Sequence, residues 1–121
     1  MMRMNREEFE KVVARALDGL PPEIAERLDN VAVVVEDEPS DEEIEDLGLD
    51  PETDTLFGLY QGLALTERGA GASGLLPDRI VIYRLPLLDE CGDRVELIRE
   101  IQDTVVHEIG HFFGLAEEDL P

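Results

Sequence analysis

His107-Glu108-Ile109-Gly110-His111-Phe112-Phe113-Gly114-Leu115-Ala116-Glu117 reads H-E-x-x-H-x-x-G-x-x-E, and it uses both histidines of the chain. On a helix of 3.6 residues per turn, His107 and His111 stack one above the other, with Cβ atoms about 5–6 Å apart. That spacing lets two imidazoles reach one zinc ion at roughly 2.0–2.1 Å each. Glu108 then lies beside the metal, placed to act as general base on a zinc-bound water.

Whether this stretch packs into a core or faces a site decides the architecture around it. With about 100° per residue and His107 at zero, His111 falls near +40° and Thr104 near +60°. Leu97, Ile98, Ile101, Val105, Ile109 and Phe112 fall between about +80° and +200°, with Glu108 at the edge of that stripe. The histidines therefore share a polar face with Glu100, Asp103 and Thr104. They are not read as core residues, which leaves a solvated face or a site. Gly110 in the middle of the helix costs about 0.8–1 kcal/mol relative to Ala. A close backbone approach over it would account for its presence, with tolerated weak propensity as the plain alternative.

Were the helix to continue, residue 117 would lie about 15 Å along the axis from His107, out of reach of a shared metal. Gly114 can adopt the left-handed conformation that ends a helix and turns the chain back, which would return a later carboxylate to the site. Only ten residues follow His111, so a ligand on a distant downstream helix has no room. The third-ligand candidates are Glu117, Glu118, Asp119 and the terminal carboxylate of Pro121, and Glu117 has the matching spacing.

Upstream of the motif, Asn5 and Glu8 form a capping pair before Phe9, Val12, Val13, Ala16, Leu17 and Leu20, which recur at helical spacing. This predicts a helix over 6–18, stopped by Gly19 and Pro21-Pro22, then a short helix from Pro22 through Leu28. Val31–Val35 reads as a buried strand ended by Glu36-Asp37-Glu38-Pro39. Ser40 and Glu43 cap a short helix through Leu47 inside a carboxylate-rich segment over 36–54. That segment lacks the D-x-D-x-D-G calcium pattern and reads as a solvated acidic loop rather than a cation site. A second strand is expected over Leu56–Leu65, weakened by Gly58 and Gly62, then a Gly-rich loop over 66–78. Ile80–Tyr83 is the third strand, closed by Pro86, and the final helix starts near Gly92 or Asp93. The order implies one small α+β domain over residues 1–121.

Composition sets the remaining bounds. A chain of 121 residues that is 43% hydrophobic can bury a single core, and with 5% aromatics and no Trp that core must be aliphatic. The net charge of −20 disfavours nucleic acid and anionic membrane, while it suits cations and neutral or basic peptides. Its plain reading is a solvated surface. Cys91 is the single cysteine, so neither an intramolecular disulfide nor a thiolate metal site can form; it reads as a small buried residue. There is no run of about 18 apolar residues and no signal-peptide pattern at the N-terminus, so a cytoplasmic protein is expected. Nothing here sets an oligomeric state.

Asp29-Asn30-Val31-Ala32-Val33-Val34-Val35-Glu36, Leu56-Phe57-Gly58-Leu59-Tyr60-Gln61-Gly62 and Leu76-Pro77-Asp78-Arg79-Ile80-Val81-Ile82-Tyr83-Arg84, with the terminal motif, resemble the mini-zincin family of predicted bacterial zinc metallopeptidases, an Asp-zincin-like group. The resemblance implies a small twisted sheet packed on an N-terminal helix and an active-site helix. It places the family's zinc-ligating histidines on His107 and His111, its catalytic glutamate on Glu108 and its helix-ending glycine on Gly114. The family pattern has Asp where this chain has Glu117, so either the loop adjusts for the extra methylene or a neighbouring carboxylate substitutes.

The expectation is zinc-dependent hydrolysis of a peptide or protein substrate. The peptide would add as a strand along residues 56–63 or 79–84, with Tyr60 or Tyr83 in reach of the oxyanion. A metal-binding or partner-regulated module with little peptidase activity is the alternative, motivated by the small size and the Glu in the last motif place. A metal-free structural domain retaining the motif is a third.

Overall fold

Asn5 accepts a hydrogen bond from the Glu8 N–H through its side chain at 2.8 Å, and the first helix, α1 (Arg6–Asp18), begins directly behind that cap. The structure, a computed structural model, describes residues 2–29, 31–50, 55–61 and 78–113, the side chains of residues 111–113 excepted. Helix α1 buries Phe9, Val12, Val13 and Ala16 and stops at Gly19, as its sequence predicts. Pro22 occupies the first turn of α2 (Pro22–Arg27), where its missing N–H removes no helix bond. Strand β1 (Val31–Glu36) follows, and then α3 (Asp41–Asp46). At α3 the Ser40 hydroxyl accepts from Glu43 N–H while the Glu43 carboxylate accepts from Ser40 N–H, both at 3.0 Å.

The second strand, β2 (Gly58–Gln61), is shorter than the expected 56–65; residues 62–65 of that expectation lie outside the described residues. The Gly-rich loop expected over 66–78 also lies outside them, except Asp78, which opens β3 (Asp78–Tyr83). Pro86 does not begin a loop. It sits in the first turn of a further helix, α4 (Arg84–Glu90), which buries Leu87 and Leu88. The first four N–H groups of a helix lack intrahelical partners, so a proline there costs no ladder bond. The sequence alone reads Pro86 as a stop because proline marks the start of a helix as readily as its end. The long helix α5 (Arg94–Phe113) starts where expected, with Glu96 N–H donating to Asp93 Oδ1 at 2.8 Å.

The sheet order is β1-β3-β2, with β1 parallel and β2 antiparallel to β3. Alternation along the strands turns Val33, Val35, Ile80 and Ile82 to one face and Val34, Val81 and Tyr83 to the other. The first face joins Phe9, Val12 and Val13 of α1 and Leu97, Ile101, Val105 and Ile109 of α5 in one aliphatic core. On the second face Tyr83 is fully buried and its hydroxyl donates to Glu43 Oε2 of α3 at 3.1 Å. Helices thus cover both faces of an α+β fold. Because β3 is paired on both sides, the segment 79–84 has no edge at which a strand can be added. Among the described strands the edges are β1 and β2.

No helix among the described residues is long and apolar enough to cross a membrane. Cys91 is buried at the end of α4, and burial pushes its thiol pKa up to about 11, with Glu96 and Glu100 adding to the shift. It is a core residue, as its isolation in the sequence implies.

Candidate metal centre

Helix α5 presents its stripe as the helical wheel requires. Leu97, Ile101, Val105 and Ile109, one residue every turn, are completely buried, whereas His107 is exposed and Glu108 half-buried at the stripe's edge. The polar face carrying His107 is not a solvated wall, because it borders a groove of about 310 Å³. Phe57 and Gly58 form the strand side of that groove, and Glu100, Asp103, His107 and Glu108 form its helix side.

Two contacts hold the strand against the helix. A Cβ on Gly58 would stand 2.5 Å from Thr104 Cγ2 and 3.0 Å from the Val81 carbonyl oxygen, so only glycine lets α5 approach this closely. No left-handed φ is needed there, since Gly48 is the positive-φ glycine among the described residues. In the sequence Gly58 is a weak point in a strand, and the structure gives it a reason. The second contact is a hydrogen bond from the Tyr60 backbone N–H to Glu108 Oε1, 2.8 Å long.

His111 follows His107 by one turn on the same continuous helix. Its side chain, Gly114 and all third-ligand candidates (Glu117, Glu118, Asp119 and the Pro121 carboxylate) lie outside the described residues. Among the described residues no three His, Cys, Asp or Glu side chains converge as a metal site. The described donors fit zinc chemically: an exposed imidazole at the groove, a second histidine one turn on, and a carboxylate tied beside the first.

The two tyrosines separate clearly. Tyr83 faces α3, across the sheet from Glu108, and burial followed by the Glu43 charge raises its pKa, so it cannot reach an oxyanion at the groove. Tyr60 donates its hydroxyl to Asp78 Oδ2 at 2.9 Å, and its backbone rather than its phenol meets Glu108.

The sequence marks Glu100 only as a neighbour on the polar face. Its pKa is raised, first by burial and then by the charges of Asp103, Glu90 and Glu96, with His107 acting in the opposite sense. A carboxyl whose folded pKa exceeds its unfolded value contributes stability below the unfolded value and loses it as pH rises through the folded one. At neutral pH the ionised Glu100 therefore opposes folding. Glu100→Gln is expected to stabilise the protein at pH 7 by up to about 0.5 kcal/mol, the residue being partly exposed and screened. The gain should vanish near pH ~3.5, below the ordinary glutamate range, and parallel denaturant titrations at the two pH values measure it.

A family model described as zincin-like metallopeptidase matches residues 28–121. No curated protein matches the chain. Among solved structures, a conserved hypothetical protein from Thermus thermophilus aligns with a TM-score of 0.56 at 21% identity, over 91% of this chain and 94% of that one. At that identity the likeness is one of fold.

Proposed function

Because the chain belongs to the zincin-like metallopeptidase family, we propose that it hydrolyses peptide bonds with zinc held by His107, His111 and Glu117 and with Glu108 as general base. The observation that carries this reading is the placement of Glu108. Its carboxylate is fixed by an edge-strand N–H at 2.8 Å, beside the exposed His107, at the wall of a groove large enough for an extended peptide segment. Bound there, zinc would supply Lewis acidity, polarising the scissile carbonyl and lowering the pKa of its water to about 7.

The chain's own residues supply the rest. Glu108 accepts the proton of the attacking water and delivers it to the leaving amine, which a carboxylate with one oxygen anchored and the other available can do. Strand β2 offers the edge along which a peptide would pair, and Phe57 and Gly58 border its path. The fully buried Leu97, Ile101, Val105 and Ile109 clamp α5 to the core and keep the motif from shifting.

The test is metal content. Protein purified without chelator is expected to carry one zinc per chain, and His107→Ala to carry none. Of the third-ligand candidates, Glu117→Ala is expected to lower occupancy while Glu118→Ala and Asp119→Asn retain it. Chelation should abolish peptide cleavage and added zinc restore it. Absence of stoichiometric zinc in the wild type would overturn the proposal. Bound zinc without cleavage of any peptide would favour the metal-binding module instead.

A further inference from the structure

In an antiparallel ladder, successive residues point their backbone groups alternately toward and away from the partner strand. Tyr83 N–H donates to the Phe57 carbonyl at 2.9 Å, and Leu59 stands opposite Val81. Residues 57, 59 and 61 therefore face β3, and the N–H and C=O of Gly58 and Tyr60 point outward from the sheet. The outward N–H of Tyr60 is the one that reaches Glu108 Oε1, joining residues 48 positions apart.

We propose that the backbone N–H of Tyr60 is the positioning donor of the general base, so that edge strand β2 sets the orientation of Glu108 on α5. The inference rests on the reading of Glu108 as that base. At 2.8 Å the contact has the length of a charge-assisted bond from an N–H to an ionised carboxylate. It anchors one oxygen and leaves Oε2 to handle the proton. A glutamate on an exposed helix face otherwise samples several rotamers, and a base that must meet water and substrate in one geometry loses rate when it does. The donor belongs to the backbone, so its position is held by the β2–β3 ladder and by the close seat of Gly58 on Thr104. It also occupies an outward edge N–H that would otherwise be open to pairing with another chain.

Amide hydrogen exchange tests the contact without any activity assay. The Tyr60 amide is expected to be protected at least about tenfold over an open edge amide. The protection should disappear in Glu108→Ala and persist in part in Glu108→Gln, whose amide oxygen can still accept. Equal Tyr60 exchange in wild type and Glu108→Ala would overturn the proposal.

Tyr60→Pro tests the consequence, because it removes an N–H that lies outside the β3 ladder, where an edge strand tolerates proline. The expected result is a roughly ten- to hundredfold lower kcat with zinc content and KM within about twofold of wild type. An unchanged kcat would overturn the positioning role. Should Tyr60→Pro not fold, replacing the amide at Tyr60 by an ester removes the same hydrogen with less disturbance and reads the same way. Failure of the underlying function is distinguishable: full activity in Glu108→Gln with the exchange pattern intact removes the base, and the positioning role with it, while the strand–helix contact stands.

Discussion

Glu108→Gln is expected to lower kcat for peptide cleavage by about 10²–10⁴-fold, the usual contribution of a positioned general base. The substitution isolates the proton-transfer role because it preserves nearly everything else. Glutamine has the same length, and its amide oxygen can keep the bond now made by Tyr60 N–H to Glu108 Oε1 at 2.8 Å. The stripe residues Val105 and Ile109 that flank it stay fully buried, so the helix has no reason to shift. What changes is the second position of the side chain, where an NH₂ donor replaces a basic oxygen. Zinc content and thermal midpoint should therefore match wild type while turnover falls. A kcat within a few-fold of wild type, measured on the same zinc-loaded preparation, would mean that another group takes the proton.

What the sequence disclosed and what it hid follow the range of the interactions involved. Caps act over three residues, so Asn5–Glu8, Ser40–Glu43 and Asp93–Glu96 could be read directly, and each opens a helix in the structure. The stripe of Leu97, Ile101, Val105 and Ile109 is set by a period of 3.6, so its burial, and the exposure of His107, could also be worked out beforehand. Proline was ambiguous. A pyrrolidine in the first turn of α4 and one that ends a strand look the same without knowing that Tyr83 caps a helix.

Contacts across the chain were not legible at all. Sheet order decides that β3 is central, and nothing local in Asp78–Tyr83 announces two neighbours rather than one. Its near-continuous apolar run is the trace such burial leaves, and it marks a covered strand better than an edge. Glu108 could be assigned a role from its motif, but its partner is a backbone N–H, which has no signature in the side-chain sequence. Gly58 carried a signal whose meaning lay 46 positions away, at Thr104.

That glycine supports the second large effect. Gly58→Ala is expected to destabilise the protein by about 1–3 kcal/mol, the range for forcing a methyl into a packed contact, and to depress peptide cleavage further than the stability loss explains. The new Cβ would sit 2.5 Å from Thr104 Cγ2, closer than real Cβ contacts come, and 3.0 Å from the Val81 carbonyl oxygen. Thr104 cannot easily rotate away, because it is β-branched and its hydroxyl donates to the Glu100 carbonyl at 2.8 Å. Relief must come from separating β2 and α5, the same two elements whose spacing sets the bond from Tyr60 to Glu108. Thr104→Ser provides the control: it deletes Cγ2 and keeps the hydroxyl, so adding it to Gly58→Ala should recover much of the stability. The Val81 contact remains, so recovery stays incomplete. A coupling free energy of about 1 kcal/mol or more between the two sites, from denaturant unfolding of the double-mutant cycle, is the expected result. Additive effects would mean that the strand gives way without moving the helix, and that the motif does not depend on this glycine for its spacing.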